Sequence, residues 1–305
     1  MSGLQGAGSS ALPALIALAL HPEPRVRGRV AQVLGNIGGS DAAPVLGGLL
    51  RDTDQDVSLR AAAALARLEV HAVPPAVSAL HDPRPEVRTR AATLLGRVSL
   101  PAGTDALIAA LADDSPSVRR EAAESLGRHA APHSVDALMR AFWDCEPLVR
   151  DRAATGLVRL GGAAVGALER AFRHHGTGDR IRIIGVARQV GSQALPLLIQ
   201  ALEADAADVR RAAAYALGQL GSRSALPVLK GRLPRFGWIG GERDTRVLQA
   251  VRSAIEQITS RTDAVANLPV PGTPDCPDLR ALPLPGNDPD AQGDPLEKDW
   301  RGAMP

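Results

Sequence analysis

The sequence is poor in three residue types on which many functional classes depend. Aromatic residues make up 2% of its 305 positions, and it contains two cysteines, Cys145 and Cys276. Two cysteines give neither a disulfide framework nor the paired spacing of a structural zinc site, so a reducing compartment is expected. Lysine is scarce as well, because 33 of the 35 basic residues are arginine and only Lys230 and Lys298 are lysine. We interpret this bias first as a codon-level preference and only second as a sign of phosphate binding.

Long apolar runs and catalytic signatures are missing too. The apolar segment Ala11–Leu20 has ten residues, is interrupted by Pro13 and lacks a basic region before it, unlike a signal peptide or a membrane span. The sequence contains no HExxH, GxSxG or Walker motif, and the glycines of Gly237–Gly241 follow no predicted strand. We therefore predict a cytoplasmic protein without membrane partner, metal or cofactor, and we favour a protein that is not an enzyme.

What the sequence has in abundance is a repeat of about 31 residues. The segment SVRREAAESLG, from Ser117 to Gly127, recurs with drift as RVRGRVAQVLG, DVSLRAAAALA, EVRTRAATLLG, LVRDRAATGLV and DVRRAAAYALG. Its valine stands at Val26, Val57, Val87, Val118, Val149 and Val209, with weaker matches at Ile181 and Val247. A fixed period in this range indicates stacked helical units that each contact only their neighbours.

Each repeat is predicted to form two helices joined by a turn. A first helix such as Asp105–Asp113 carries apolar residues at helical spacing, and a turn rich in Asp, Pro and Ser starts the second helix. The predicted helix stops are Gly35, Gly96, Gly127, Gly161 and Gly218. No segment alternates like a strand, so the prediction is an all-α fold of about eight hairpins. Their approximate ranges are 9–38, 41–69, 71–98, 101–129, 131–161, 162–191, 193–221 and 223–259, after a flexible N-terminus at 1–8.

Two repeats and the C-terminal segment depart from the consensus. The sixth repeat has Ile183, Ile184 and Gly185 at its alanine pair, and the eighth carries an insertion, Pro234–Asp244. Residues 260–305 contain nine prolines and four glycines without periodicity. That composition favours an extended or disordered tail.

The consensus D-x-VR-x-x-AA-x-x-LG resembles the short HEAT repeats of the phycobilisome-lyase-like class over roughly residues 9–259. The resemblance implies a right-handed α-solenoid whose second helices line a concave face, but it implies little chemistry, because members of this fold serve unrelated functions. Deoxyhypusine hydroxylase shares the fold and binds di-iron through His-Glu pairs, yet this sequence has no adjacent His-Glu. A tetrapyrrole site of the phycobilin lyases cannot be carried over to any residue. The acidic residue of HEAT-like DNA glycosylases has only a weak counterpart in Asp151.

The arginine that follows each repeat valine is predicted to be structural. When residues are placed about 100° apart around the second helix, this arginine falls inside the apolar arc. A charge in that position must be paired, because an unpaired buried charge is strongly destabilising. The second repeat has Ser58 there, so a break is expected. The predicted arginine ladder is Arg27, Arg88, Arg119, Arg150, Arg182 and Arg210, with the turn aspartates Asp82, Asp114, Asp144 and Asp205 as partners.

A second set of arginines points away from the apolar arc, at three and ten residues after the valine. The predicted arginine stripe comprises Arg29, Arg60, Arg67, Arg90, Arg97, Arg128, Arg152 and Arg159. Acidic residues interrupt it at Glu121, Glu124 and Asp151. The stripe is either a groove for an acidic partner or a set of solvated surface charges.

Two tryptophans are candidate anchors for a partner. Trp143 follows the core position of Phe142 and is expected to be exposed, and exposed tryptophans are frequent binding anchors. Trp238 lies in the glycine-rich insertion, where it either anchors a partner or closes the last repeat.

Charge is distributed unevenly along the chain. Residues 1–260 carry a net charge of +6 and residues 261–305 a net charge of −4. The acidic tail is therefore either a free linker or an intramolecular competitor that lies on the arginine stripe.

We predict a non-catalytic scaffold that binds an acidic protein segment or peptide on the second-helix face. The first alternative is nucleic-acid binding by the same stripe. The second is a lyase or an oxidoreductase role as a subunit within the resembled family.

Overall fold

The computed structural model describes residues 11–233 and 242–266 of the chain. Within these two ranges the chain forms α-helices, short 3-10 turns and connecting turns, and no β-strand occurs there. The chain divides into two compact units, Met1–Ile258 and Thr259–Pro305. The first unit is an all-α solenoid of helical hairpins, which confirms the predicted fold class.

Each hairpin contains a first and a second helix. The first helices are residues 11–18 (α1), Ala42–Leu50 (α3), Val73–Ala79 (α5), Pro101–Ala110 (α7), Val135–Ala141 (α9), Gly162–His174 (α11), Leu195–Ala201 (α13) and Leu226–Arg232 (α15). The second helices are Pro24–Ile37 (α2), Gln55–Ala66 (α4), Pro85–Val98 (α6), Pro116–His129 (α8), Pro147–Leu160 (α10), Thr177–Val190 (α12), Ala207–Leu220 (α14) and Thr245–Ala266 (α16). Short 3-10 turns precede α5, α9, α13 and α15, at Glu69–Ala72, Pro132–Ser134, Gly191–Ala194 and Arg223–Ala225.

The turns into α8 and α10 share one construction. Proline occupies the first position of α8, where its missing N–H costs nothing because that donor has no partner within the helix. Three residues earlier, the Oδ1 atom of Asp113 accepts a hydrogen bond of 2.8 Å from the backbone N–H of Ser115. Asp144 and Glu146 repeat this bond at 2.9 Å before α10. The turn aspartate therefore fixes the entry into the second helix.

The core consists mainly of alanine, leucine and valine, as the scarcity of aromatics requires. Repeat valines such as Val118 and Val149 are 0% exposed. Phe142 and Phe172 are buried among them, as predicted. Because these side chains are small, neighbouring helices can approach closely.

Four of the five glycines that were predicted as helix stops lie inside second helices instead. They are Gly35, Gly96, Gly127 and Gly218. A Cβ added at Gly127 would stand 2.8 Å from the Cα of Gly156 on α10, and one at Gly218 would stand 2.8 Å from the Cα of Ala254 on α16. These glycines permit close contact between successive second helices. The helices end instead at residues with positive φ, namely Gly38, Ser99, Ala130, Gly161, Gly191 and Gly221.

Hairpin six has a different register from the predicted one. The other second helices begin two residues before the repeat valine. Helix α12 begins at Thr177, which places Asp179 rather than Ile181 at the valine position. Burial agrees with this assignment, because Ile183 and Ile184 are buried at the positions of the alanine pair whereas Ile181 is 37% exposed.

Several predictions of the sequence analysis concern residues outside the described ranges. Most of the insertion Pro234–Asp244, with Trp238, is among them, as are residues 1–8 and most of the tail from 260 to 305. Of the helices that the structure describes, none combines the length and apolarity needed to cross a bilayer.

Candidate interaction surface

Four of the six predicted ladder arginines link the turn of their own hairpin to the turn of the next; they are Arg27, Arg88, Arg119 and Arg210. The guanidinium of Arg119 donates from Nη1 to the backbone oxygens of Asp113 and Asp114, at 2.9 and 3.1 Å. Its other edge donates from Nε and Nη2 to both carboxylate oxygens of Asp144, at 2.7 and 2.9 Å. Arg27 with Asp52 and Arg88 with Asp113 repeat this geometry. In each pair the aspartate lies 25 residues after the arginine.

These pairs shift the titration of both partners. The hydrogen bond from Arg119 lowers the pKa of the Asp144 carboxyl, against the opposing effect of burial and with help from the N–H of Glu146. The hydrogen bond from Arg27 lowers the pKa of Asp52 in the same way. For Asp113, burial acts to raise the pKa, but the hydrogen bonds from Arg88 and from the backbone outweigh it. The ladder carboxyls therefore stay ionised in the folded protein at neutral pH.

The carboxylate partners differ from the predicted ones. Of the four turn aspartates proposed, Asp144 alone receives a ladder guanidinium on its carboxylate. Asp114 and Asp205 contribute backbone oxygens. Arg210 pairs with Glu242, which precedes α16. Asp114 and Asp205 stand one position too late in their turns. The residue that faces the preceding hairpin is the one that stands two residues after the core leucine.

Hairpin two shows how the ladder is interrupted, as expected from Ser58. The Ser58 hydroxyl is buried and donates to the backbone oxygen of Gln55. Asp82, the acid of the next turn, is instead bound by Arg84 at 3.0 Å and approached by Arg51 at 3.5 Å. Two other arginines therefore satisfy the carboxylate that the serine leaves unpaired.

Arg182 is not a ladder residue, in contrast to the prediction. Its Nη2 atom donates to the backbone oxygen of Phe142 at 2.8 Å. Its guanidinium carbon lies over the rings of Phe142 and Trp143, 4.7 and 5.2 Å from the ring centroids. Arg180 contacts the turn of hairpin six, because it donates to the backbone oxygens of Phe172 and Arg173. Because the register of α12 is shifted by two residues, Arg180 rather than Arg182 stands at the ladder position.

Arginine stripe residues lie on the second-helix surface, which we define as the surface of α2, α4, α6, α8 and α10 where these helices meet. The Cδ of Arg60 lies 3.2 Å from the position that a Cβ on Gly28 of α2 would occupy. The Cδ of Arg159 lies 3.9 Å from the corresponding position on Gly127 of α8. Both side chains thus extend over the preceding second helix. The concave shape of this surface stays a prediction.

Three arginines of the stripe have acidic partners. Arg60 pairs with Asp56 at 2.8 Å and Arg128 with Glu121 at 3.1 Å, each within one helix. Arg152 on α10 approaches Glu124 on α8 at 3.5 Å. Among the described residues, no carboxylate lies within 4 Å of the other five, which are Arg29, Arg67, Arg90, Arg97 and Arg159. The stripe therefore carries excess positive charge.

Trp143 is partly buried, so the expectation of an exposed anchor is wrong. Its ring stacks on that of His175, with centroids 4.2 Å apart and planes 18° apart. It also meets Phe142 edge-on at 4.7 Å. Trp143 therefore joins hairpins five and six. The other candidate anchor, Trp238, lies outside the described residues.

Tyr215 was not among the predicted site residues. This tyrosine of α14 is 57% exposed and stands six residues after Val209, the register position of Glu124 on α8. Since Glu124 contacts Arg152 of the stripe, Tyr215 belongs to the same side of its helix. Its outward angle on the second helix was the signal that could have identified it.

Within the described ranges, no cluster of three or more histidine, cysteine, aspartate or glutamate side chains is arranged to hold a metal ion. Where the ladder is complete, arginine–carboxylate and arginine–carbonyl bonds join the turns of successive hairpins.

A family model described as HEAT repeats matches residues 2–66, 73–158 and 164–235, well over half of the chain. No curated protein matches the sequence.

Several solved structures align with the chain. The karyopherin Kap121p, bound to the extreme C-terminus of the protein phosphatase Cdc14p, aligns with a TM-score of 0.56 and 13% identity over 82% of this chain and 34% of its own. The complex of CpcE and CpcF of phycocyanin lyase from a Nostoc species aligns with a TM-score of 0.40 and 18% identity, over 83% of this chain and 94% of its own. Human deoxyhypusine hydroxylase in complex with glycerol aligns with a TM-score of 0.38 and 21% identity, over 83% of this chain and 98% of its own. At these identities the likeness concerns the fold.

Proposed function

The chain belongs to the HEAT-repeat family, and from this premise we propose that it is a non-catalytic interaction scaffold. Its ligand is an acidic segment of a partner protein, bound across the second-helix surface. HEAT-repeat proteins commonly bind proteins or peptides, and the karyopherin neighbour holds the C-terminus of a phosphatase. We extend that class of partner, a protein segment, to this chain as part of the proposal.

One observation carries the proposal. Five arginines that stand three or ten residues after the repeat valine, in hairpins one, two, three and five, have no carboxylate partner among the described residues; they are Arg29, Arg67, Arg90, Arg97 and Arg159. A guanidinium binds a carboxylate through two parallel hydrogen bonds. A row of such groups on adjacent helices matches a chain with several acidic side chains.

Tyr215 extends the proposed surface beyond the stripe. An exposed tyrosine supplies contact area at a small entropic cost, and such residues recur at binding hot spots. We propose that Tyr215 contacts an apolar residue of the partner segment, next to the acidic residues that bind the arginines.

Charge reversal on the stripe tests the function. The variant carries Arg90→Glu, Arg97→Glu and Arg159→Glu, and none of these side chains has a carboxylate partner to lose among the described residues. The probe is a fluorescent ten-residue peptide of alternating Glu and Gly, with a Gln–Gly peptide as the neutral reference. We expect the acidic peptide to bind at least about tenfold more weakly to the variant, because like charges then face each other.

A matched control separates the stripe from net charge. Arg25→Glu, Arg140→Glu and Arg173→Glu change the charge equally at exposed positions outside the stripe. This control should bind the acidic peptide within about twofold of the unmodified protein. Equal weakening in both variants would contradict a defined binding surface, as would unfolding of the stripe variant in a circular dichroism spectrum.

Salt dependence distinguishes the nucleic-acid alternative. Contact with about five phosphates of duplex DNA gives a slope near −4.5 when the logarithm of the binding constant is plotted against that of salt. If duplex DNA binds more tightly than the acidic peptide, shows this slope and loses affinity in the stripe variant, the stripe is a nucleic-acid surface and the proposed function is wrong.

A further inference from the structure

The junction between hairpins five and six lacks the carboxylate that completes the ladder link at Arg27, Arg88 and Arg119. Arg27, Arg88 and Arg119 each bind an aspartate 25 residues later in the sequence. Because α12 begins at Thr177, the residue equivalent to these aspartates is His174, and His175, 25 positions after Arg150, follows it. The turn that follows Arg150 thus contributes imidazoles where those three turns contribute an acid.

Arg150 nevertheless has the orientation of a ladder arginine. Its Nη1 atom donates to the backbone oxygens of Asp144 and Cys145, at 2.9 and 2.8 Å. Arg119 makes the same two bonds one hairpin earlier, to Asp113 and Asp114. In Arg119 these bonds direct the opposite edge, Nε and Nη2, at the carboxylate in the next turn. Arg150 therefore directs the same edge at the turn of hairpin six.

No described residue accepts a hydrogen bond from that edge of Arg150. The ring of His175 is engaged elsewhere, because it stacks on Trp143. The nearby Asp179 faces His175 and Arg182, at 3.5 Å from each. The local acid is thus engaged by two other side chains.

The position is open to a ligand. Arg150 itself is half-buried, as the other ladder arginines are. The neighbouring Cys145, His174 and Gly176 are all exposed. A group entering between the two turns would meet a guanidinium whose hydrogen-bonding direction is already fixed, which lowers the entropic cost of binding.

We propose that Arg150 forms a carboxylate-binding site between hairpins five and six, which takes an Asp or Glu side chain of a partner protein. The carboxylate occupies the place that Asp144 has on Arg119, with two parallel hydrogen bonds from Nε and Nη2. The ladder itself is the argument for this chemistry, since three arginines in the same setting each bind a carboxylate in this way. The site lies among the inter-helix turns and does not depend on the arginine stripe.

The test is a nuclear magnetic resonance titration of the arginine Nε–Hε signals of the full chain. The signal lost in Arg150→Gln identifies Arg150. The probe is the peptide acetyl-Gly-Asp-Gly-amide, and acetyl-Gly-Asn-Gly-amide is the neutral reference. We expect the Asp peptide to shift the Arg150 signal in a saturable manner and at lower concentration than the signals of the stripe arginines. The Asn peptide should leave it unchanged.

Variants separate a bidentate site from general positive charge. Arg150→Lys keeps the charge but loses the planar edge, so peptide binding followed through neighbouring amide signals should weaken at least about tenfold. Arg173→Gln removes an exposed charge directly before His174, outside the stripe, and should retain binding. Equal binding by Arg150→Lys, or equally tight binding of inorganic phosphate at Arg150, would overturn the carboxylate assignment. No selective shift at Arg150 would overturn the site itself, whatever the outcome for the stripe.

Discussion

The solenoid contains two neighbouring regions that join their hairpins in different ways. From hairpin three to hairpin five, Arg88 and Arg119 each bind a carboxylate of the next turn, Asp113 and Asp144. From hairpin five to hairpin seven the turns carry His174, His175 and Ala204 in the corresponding stretches. Rings and carbonyl oxygens replace the ladder ion pairs there, with the stack of Trp143 on His175 between hairpins five and six. An ion pair that remains between these two hairpins, Arg170 with Asp136 at 3.4 Å, is exposed.

The difference shows that each ladder link depends on two residues in different repeats. The arginine belongs to one hairpin and the acid to the next, so a change in the acid breaks the link and leaves the arginine's own repeat intact. Arg119 and Arg150 illustrate this, since both bind the oxygens of their own turn. The first region should consequently depend on ionisation and the second on stacking.

The largest expected effect is the removal of one partner from a complete link. Arg119→Ala leaves the carboxylate of Asp144, 11% exposed, without its guanidinium. We expect the free energy of unfolding to fall by about 2–4 kcal/mol. Arg150→Ala removes hydrogen bonds to carbonyl oxygens but leaves no carboxylate without its partner. We expect its free energy of unfolding to fall by about 1 kcal/mol.

Urea unfolding followed by circular dichroism measures both variants. The traces should be fitted with a model that allows stepwise unfolding, because repeats contact only their neighbours. Equal losses in Arg119→Ala and Arg150→Ala would show that the two regions are joined with equal strength, and would contradict the comparison.

The next comparison is between two glycines, one at a contact between second helices and one away from such a contact. Gly127→Ala places a Cβ 2.8 Å from the Cα of Gly156, which forces α8 and α10 apart, and we expect a loss of about 1–3 kcal/mol. Gly185 on α12 has no atom within 4 Å of an added Cβ. Gly185→Ala should therefore raise stability by about 0.5–1 kcal/mol, since alanine loses less backbone freedom in a helix.

Thermal unfolding of the two glycine variants provides the measurement. The melting temperature should fall for Gly127→Ala and rise for Gly185→Ala. A rise in both would mean that the second helices of hairpins four and five can separate without loss of packing.

The fold was predictable because the same repeat pattern occurs many times in the sequence. Six copies of one apolar pattern determine the hairpin, its period and the all-α class, and one aberrant copy does not obscure them. Hairpin six shows the limit. Ile181 followed by Arg182 resembles the valine–arginine pair more than Asp179 followed by Arg180 does, and only the burial of Ile183 and Ile184 reveals the register.

The candidate sites were predictable in part. The helical angle of each arginine follows from the sequence, but its partner lies in the next hairpin, so the sequence did not show whether Asp113 or Asp114 would be the acceptor. Gly127 was misinterpreted for a related reason. A glycine that ends a helix and one that admits a neighbouring helix look alike until the contact with Gly156 is known.

The smallest expected effect is a difference in acid sensitivity. The hydrogen bond from Arg119 lowers the pKa of Asp144 in the folded protein relative to the unfolded chain. Its contribution to stability is therefore complete above about pH 4 and is lost as the pH falls through the folded value. Asp144→Asn removes this titration, so its unfolding free energy should change less between pH 5 and pH 3 than that of the unmodified protein. Asp136→Asn, at a position 75% exposed, is the control and should keep the original pH dependence. If the two variants respond to acid alike, the ladder carboxylates do not distinguish hairpins three to five from hairpins five to seven.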